Sequence, residues 1–243
     1  MATCALCQRE QQLKQSHILP KFAQGRMKLL AKAGNGPVLA HCAGRERPVQ
    51  NFCFEALLCG DCEQRLSRWE GVAADFLRRR EFDPPCVVSE AKTLTQLNYR
   101  GLKLFLLSLL WRMGASELRD FAFVKLGRHE TIIRDMIMRE DPGSTDDYGC
   151  SLQVLTDRTG RIPVTRGADH YRADHLCIFY RLILDGFLFI WQVGQAEAVA
   201  RSSTREWLLR DDGTWQVLFQ DRHRVPFVDH ALRPLFQRRA AQP

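Results

Sequence analysis

The spacing of apolar residues divides the chain into a helical first half and a strand-rich second half. After Cys62, apolar side chains recur three and four residues apart as far as Leu77, which predicts an amphipathic helix. The longest apolar run, Leu102 to Met113, is interrupted by a lysine and an arginine. It is too short for a membrane span of about 20 residues and predicts a buried core helix. Three helices are predicted in total between residues 93 and 140.

From Tyr148 onward the pattern changes to one that is typical of β-strands. Asp185-Gly186 separates two apolar runs and predicts a hairpin, because glycine readily adopts the positive φ of a tight turn. Asp212-Gly213 predicts a second hairpin in the same way. The predicted elements are strands at 151–156 and 161–165, one hairpin from 176–184 and 187–193, a second from 207–209 and 215–219, and a closing helix at 229–239.

The composition and charge of the chain indicate a class of partner. The chain has 243 residues, of which 45% are hydrophobic and 26% charged, as in ordinary globular proteins, and its net charge is +7. Residues 1–50 contain eight Lys and Arg against two Glu, which is a local net charge of +6. A concentrated positive charge favours a polyanion such as nucleic acid, because phosphate contacts release counterions. The alternative is a solvated basic surface.

Nine cysteines, with no export leader at the N-terminus, favour thiols and metal ligands over disulfides and predict a cytoplasmic protein without a membrane partner. Cys4 and Cys7 form one Cys-x2-Cys pair, and Cys59 and Cys62 form another. Two such pairs predict a tetrahedral structural Zn²⁺ site, since a two-residue gap lets one turn direct both thiolates at a single ion. The competing ligands are His41, Cys42 and Cys53, whereas Cys86, Cys150 and Cys177 are predicted to be core thiols.

The predicted fold class is α+β, with a boundary at Asp83-Pro84-Pro85, because tandem prolines end a helix. Residues 1–82 form a zinc-stapled module of the treble-clef type: a knuckle, a β-hairpin, and a second knuckle that opens a helix. Residues 83–92 are a linker. Residues 93–243 form an α+β domain with helices over 93–140, antiparallel hairpins over 149–220 and the C-terminal helix.

The segment Gln15-Ser16-His17-Ile18-Leu19-Pro20 lies between the two cysteine pairs, and Glu63 follows the second pair. This arrangement resembles the ββα-metal motif of HNH endonucleases, and the whole layout resembles uncharacterised bacterial HNH-type proteins. The resemblance implies that His17 is the catalytic base and that Glu63 binds a catalytic Mg²⁺ or Mn²⁺. It also implies that Lys21, Arg26 and Lys28 contact the phosphates of the substrate.

The sequence departs from the family pattern at two positions. Ser16 stands where the family has a metal-binding Asp or His, and Glu63 stands where it has Asn or His. Glu55 or Asn51 could supply the missing ligand, and a Ser16→Asp substitution is expected to restore it. Glu70 lies two helical turns from Glu63, too far to share its ion easily.

Two functions therefore remain open. The first is a metal-dependent endonuclease that hydrolyses nucleic acid, with DNA as the favoured substrate. The second is a non-catalytic zinc module that binds nucleic acid or protein, with the C-terminal domain as an alternative surface for a protein partner.

Overall fold

A computed structural model describes most of the chain: residues 1–23, 39–42, 45–48, 53–82, 89–158, 160–162, 164–172, 176–225 and 228. Its N-terminal part contains two small antiparallel ladders. Strand β1 (Ala2–Thr3) pairs with β2 (Glu10–Gln11), and β3 (Leu13–His17) pairs with β6 (Phe54–Cys59). Helix α1 (Gly60–Leu77) begins directly after β6. Strands β3 and β6 pair although residues 18–53 lie between them, so the predicted β-hairpin between the two cysteine pairs is instead a pair of strands distant in sequence.

Helix α1 confirms the helix predicted after Cys62. Its buried side chains lie on one face and include Leu66, Trp69 and Ala73, while Asp61 and Glu63 occupy the first turn. Acidic residues in that turn interact favourably with the positive end of the helix dipole. A 3-10 helix at Arg80–Phe82 follows, and the predicted Asp83-Pro84-Pro85 boundary lies outside the described residues.

Between residues 93 and 140 the structure has two α-helices rather than three. Helix α2 (Tyr99–Ala115) is buried on nearly all sides, and helix α3 (Arg128–Arg139) is amphipathic. The predicted middle helix is wrong, because residues Arg119–Phe121 form only a 3-10 turn. The Ser116 hydroxyl accepts a hydrogen bond from the Leu118 N–H (3.1 Å), and Gly127, with φ 56°, turns the chain before α3. The interval between Ser116 and Gly127 is therefore short.

Nine strands form one large mixed sheet. Its spatial order is β5-β4-β10-β11-β12-β8-β13-β7, with β9 paired to β8. The strands are β4 (Leu39–Cys42), β5 (Arg45–Pro48), β7 (Glu90–Leu94), β8 (Cys150–Asp157), β9 (Gly160–Arg161), β10 (Thr165–Tyr171), β11 (Cys177–Leu184), β12 (Phe187–Gly194) and β13 (Trp215–Asp221). A short helix, α4 (Ala196–Ala200), follows β12.

The first predicted hairpin is confirmed and the second is wrong. Strands β11 and β12 pair from Cys177↔Gly194 to Leu184↔Phe187, and both turn residues have positive φ (50° at Asp185, 81° at Gly186). Residues 205–207 instead form a 3-10 helix, and β13 pairs with β7 and, in parallel, with β8. A second parallel ladder joins β10 to β4, so the sheet is mixed rather than antiparallel. The predicted strand at 161–165 is divided between β9 and the start of β10.

One continuous apolar core connects the cysteine module to the sheet. Phe76 of α1 stacks on Trp215 of β13, with ring centroids 5.5 Å apart. Phe82 lies edge-on to Phe187 at 5.2 Å and stacks near Phe219 at 6.4 Å. Strand β7, whose first three residues belong to the predicted linker, is the edge strand beside β13. The two predicted parts of the chain therefore pack against each other through aromatic side chains.

The predicted closing helix at 229–239 lies outside the described residues. Within the described ranges, the structure contains no helix with the length and apolarity that are needed to cross a membrane.

Candidate metal centre and its surroundings

Four cysteines from the two predicted pairs converge on one point. The sulfur atoms of Cys4, Cys7, Cys59 and Cys62 all lie within 4.8 Å of one another. The Cys7 and Cys59 sulfurs are 3.9 Å apart. Tetrahedral Zn–S bonds of about 2.3 Å would place two sulfurs about 3.8 Å apart, so the group has the dimensions of a tetrahedral thiolate site. It could hold a metal ion, and its donor set is consistent with structural zinc.

Local backbone geometry builds this group. The N–H of Gln8 donates to the Cys4 carbonyl (2.9 Å) and Gln8 has φ 60°, which closes the tight turn that carries Cys4 and Cys7. Cys59 is the last residue of β6, and Cys62 lies in the first turn of α1. The N–H of Cys59 donates to the Cys4 sulfur (3.3 Å), which ties the two pairs together.

The surroundings of the four thiols affect their ionisation in opposite directions. Burial raises the pKa of Cys62 and of Cys7. Burial also opposes ionisation of Cys4, but backbone N–H groups of Cys7, Cys59 and Leu6 point at its sulfur and lower its pKa to about 7. A bound cation would favour the thiolate form of all four, because metal ligation requires deprotonated sulfur.

Of the alternative ligands, Cys53 is described and does not belong to the group. Its sulfur instead lies 3.9 Å from an Asp120 carboxylate oxygen. The side chains of His41 and Cys42 and the whole of Cys86 lie outside the described residues. Cys150 and Cys177 are buried in the core, as predicted for core thiols.

His17, the predicted base, is the last residue of β3. It is half-buried, pairs with Phe54 across the ladder, and its ring centroid is 6.0 Å from that of Phe54. The next three residues, Ile18, Leu19 and Pro20, are buried. The backbone of His17 is thus held between a strand and a packed segment.

Glu63, the predicted ligand of a catalytic ion, lies in the first turn of α1 beside Cys62. One of its carboxylate oxygens, Oε1, is buried and has no hydrogen-bond partner among the residues that the structure describes. An unpartnered buried carboxylate oxygen is costly unless a cation or a donor meets it. Among the described residues, however, only the four cysteines form a group of three or more His, Cys, Asp or Glu ligands around one point.

One of the two candidates for the missing ligand is engaged elsewhere. The Glu55 carboxylate accepts from the Ser116 hydroxyl (3.1 Å) and the Glu117 N–H (3.3 Å), so it caps the end of α2. The other candidate, Asn51, lies outside the described residues.

Ser16 has a structural role that the sequence did not reveal. Its side chain is fully buried, and its hydroxyl accepts from the Leu58 N–H (3.0 Å) where the β3–β6 register shifts by one residue. An aspartate here would bury a carboxylate between β3 and β6. The buried position of Ser16 thus disfavours the expected restoration of a metal ligand by Ser16→Asp.

An arginine in α2 connects the module to the helical layer. Arg112 is 3% exposed, and its Nη1 lies 2.7 Å from a Glu70 carboxylate oxygen and 2.8 Å from the His17 carbonyl oxygen. Its Nη2 is buried without a partner. Sequence reasoning missed this contact, although a charged residue inside an apolar run is a signal that a buried partner must exist.

Of the predicted phosphate-binding residues, Lys21 is exposed, and Arg26 and Lys28 lie outside the described residues. Comparisons with known proteins give no further identification. No family model, no curated protein and no solved structure matches this chain.

Proposed function

We propose that residues 1–82 form a zinc-stapled treble-clef (ββα-metal) module of the HNH type, and that the protein is a metal-dependent endonuclease of nucleic acid, with DNA as the favoured substrate. The observation that carries the proposal is the unpartnered, buried Oε1 of Glu63 one residue after a metal-site cysteine. The cysteine cluster supports the module, and the basic balance of residues 1–50 supports a polyanionic substrate.

Each part of the chemistry has a candidate residue. Glu63 would hold Mg²⁺ or Mn²⁺, which when bound neutralises charge on the scissile phosphate. The imidazole of His17 would accept a proton from the attacking water, because a neutral ring nitrogen can act as a general base. Lys21 is exposed and would contact a phosphate by charge.

Arg112 would act as a positioning residue in this scheme. Its Nη1 donates both to the carbonyl of His17 and to the carboxylate of Glu70, and its side chain is buried. Because Arg112 belongs to α2 and Glu70 to α1, the contact fixes the end of β3 relative to both helices. A fixed backbone at His17 limits the positions that its imidazole can reach, as a catalytic base requires.

A nicking assay tests the proposal. Zinc-loaded protein with supercoiled plasmid and Mg²⁺ or Mn²⁺ is expected to produce nicked circles. His17→Ala should abolish nicking at every metal concentration, whereas Glu63→Gln should be partly rescued by high metal, because it weakens a ligand rather than removing the base. Matched controls are the exposed His170→Ala and Glu10→Gln, which should leave the rate unchanged.

Two outcomes would overturn the endonuclease proposal. If zinc-loaded wild type cleaves no duplex, single-stranded or structured DNA or RNA with either ion, no catalytic role for His17 survives. Equal activity of His17→Ala and wild type would have the same consequence.

The second candidate is a non-catalytic zinc module that binds nucleic acid or protein. The observation that favours it is Ser16, whose hydroxyl is fully buried and already bonded to Leu58, so the family's acidic ligand has no equivalent there. Salt-dependent binding of duplex DNA without cleavage would support this candidate. If duplex DNA does not bind at low salt, a protein is the partner that this second candidate leaves.

A further inference from the structure

The large sheet carries a pocket on the face opposite helix α2. Side chains that alternate along the strands point either to the α2 core or to the other face. Phe189, Trp191 and Val217 belong to the core shared with α2. Their neighbours Ser151, Gln153, Ile190 and Gln192 line a pocket of about 260 Å³ on the other face, and its walls include Tyr171, Phe179 and Trp207.

The floor of this pocket is polar, whereas the same face of the sheet is apolar on either side of it. Strands β8 and β12 are interior strands of the sheet. Two apolar clusters flank the pocket on the same face, one around Leu155 and Val164, the other around Phe179 and Leu208. Ser151, Gln153 and Gln192 form a polar patch between these clusters.

Two amide oxygens in the floor have no hydrogen-bond partner among the described residues. Gln192 is 1% exposed, and its Nε2 donates to the Thr204 hydroxyl (2.6 Å), which leaves Oε1 buried and unpartnered. Gln153 Oε1 is also buried without such a partner. Leaving a buried acceptor unmet costs free energy, so a ligand that supplies donors would stabilise both amides once they rotate toward the pocket.

The walls define the shape and the charge of that ligand. Tyr171 and Phe179 stack with centroids 5.0 Å apart and ring planes within 18°. The Arg181 guanidinium lies 4.7 Å from the centre of the Tyr171 ring and is paired with Asp169, which holds this wall in place. Trp207 supplies a third ring, and none of the described residues that line the pocket is charged. Aromatic walls without charge suit a flat, neutral molecule.

We infer that this pocket binds a neutral, flat heterocycle that presents N–H donors along one edge, which is the chemistry of a nucleobase. The donors meet Gln192 Oε1 and Gln153 Oε1, and the ring contacts the aromatic walls. The base comes either from a free nucleoside or from an unpaired position in a nucleic-acid strand. The pocket lining does not include His17 or Glu63, so ligand binding there does not depend on the proposed cleavage site.

Calorimetric titration of the full-length, zinc-loaded protein tests this. Adenosine and uridine are the free-nucleoside probes, and N6,N6-dimethyladenosine and 3-methyluridine are their matched analogues without the N–H donors. An octamer of thymidylate is the strand probe, with an abasic octamer as its control. At least one donor-bearing probe is expected to bind, and its analogue or abasic control should bind at least about tenfold more weakly.

Gln192→Met and Gln153→Met remove the acceptors while preserving side-chain length, and each should weaken binding about tenfold. Gln216→Met is the matched control, because Gln216 lies on β13 of the same sheet but does not line the pocket, and it should not change the affinity. Binding of nucleosides identifies the free source, and binding of the octamer alone identifies the strand.

Three results would overturn the inference. One is the absence of binding by every probe, which would mean a pocket filled by water only. Another is binding that both glutamine variants leave unchanged. The last is equal affinity for the methylated and unmethylated probes. Because the methylated probes use the unmodified protein, this comparison remains decisive even if a glutamine variant fails to fold.

Discussion

The cysteine module and the nine-stranded sheet are stabilised in different ways. The module's ladders are short: β1 and β2 have two residues each, and within the described residues β3 pairs with β6 alone. The two regions share one apolar core, but the sheet contributes large, fully buried side chains to it, including Trp191 and Trp215. A two-stranded sheet is marginal by itself, whereas aromatic burial on many strands is a large favourable term. We therefore expect the module to depend more on its cysteines and the sheet more on apolar area.

The largest effect is expected from loss of a metal ligand. Cys59→Ser should abolish binding of about one zinc per chain and lower the free energy of unfolding of the module by about 5 kcal/mol or more, because zinc binding supplies folding energy directly. Elemental analysis measures the metal. Amide exchange measures the location: amides of β6 and α1 should lose protection, while those of β11 and β12 keep it.

The matched control is Cys177→Ser, which alters a buried thiol outside the cluster and should leave the zinc content unchanged. Loss of protection throughout β11 and β12 in Cys59→Ser would show that the shared core makes the two regions one cooperative unit. If folded, reduced wild-type protein contains no zinc, the metal does not stabilise the module.

The contact between the cysteine module and helix α2 comes next in size. Arg112→Met should cost about 3 to 5 kcal/mol, because it leaves the Glu70 carboxylate and the His17 carbonyl without their buried donor. Urea unfolding gives the value. Adding Glu70→Gln to Arg112→Met should recover part of the loss, since the unpaired charge is then gone.

Arg68→Met is the control that isolates burial. Arg68 lies 2.7 Å from Glu140, the same distance as Arg112 from Glu70, but its side chain is 60% exposed and that of Arg112 is 3% exposed. Its loss should cost less than about 1 kcal/mol. Similar losses in both variants would contradict the role assigned to Arg112.

The second charge inside α2 should have the opposite effect. Burial lowers the pKa of Lys103 to about 8, although nearby acidic groups act to raise it. The folded pKa is below that of the unfolded chain, so the unfolded state binds more protons between pH 8 and 10.5. Stability should therefore rise with pH across this window and be lowest below pH 8, by up to about 3 kcal/mol.

Lys103→Met should accordingly raise the melting temperature at pH 7, with a benefit that shrinks toward pH 10. The exposed Lys125→Met serves as the control. The measurement stops at pH 10, because burial raises the pKa of Tyr148 to about 12 and unfolding would then release tyrosine protons as well. A melting temperature of Lys103→Met that is lower than wild type at pH 7 would show that the Nζ contact with the Ser144 carbonyl (3.1 Å) outweighs burial.

The smallest effect is expected at Ser16. Ser16→Ala removes the acceptor of the buried Leu58 N–H and should cost about 1 to 2 kcal/mol in thermal or urea unfolding. The exposed Ser67→Ala should cost less than about 0.5 kcal/mol, which is the usual size of the effect of a surface substitution. Ser16→Asp should be more destabilising than Ser16→Ala. Unchanged stability in Ser16→Asp would reopen this position as a ligand.

Local patterns in the sequence correctly predicted several elements. The cysteine pairs, helix α1, helix α2 and the β11–β12 hairpin each depend on residues a few positions apart, where periodicity and turn chemistry act directly. The four cysteines could also be grouped from sequence, because the Cys-x2-Cys spacing itself reflects the geometry of the ion.

The pairing of β13 and the surroundings of the site could not be predicted in this way. Strand β13 pairs with β7 and β8, which lie far from it in sequence, and not with the neighbouring 207–209. Arg112 reaches the His17 carbonyl across 95 residues, and Ser16 meets Leu58 across 42. The polar floor of the pocket likewise requires β8 and β12 to lie side by side. Periodicity shows which face of an element is apolar, but the partner of a buried polar atom is decided only when distant segments of the chain pack together.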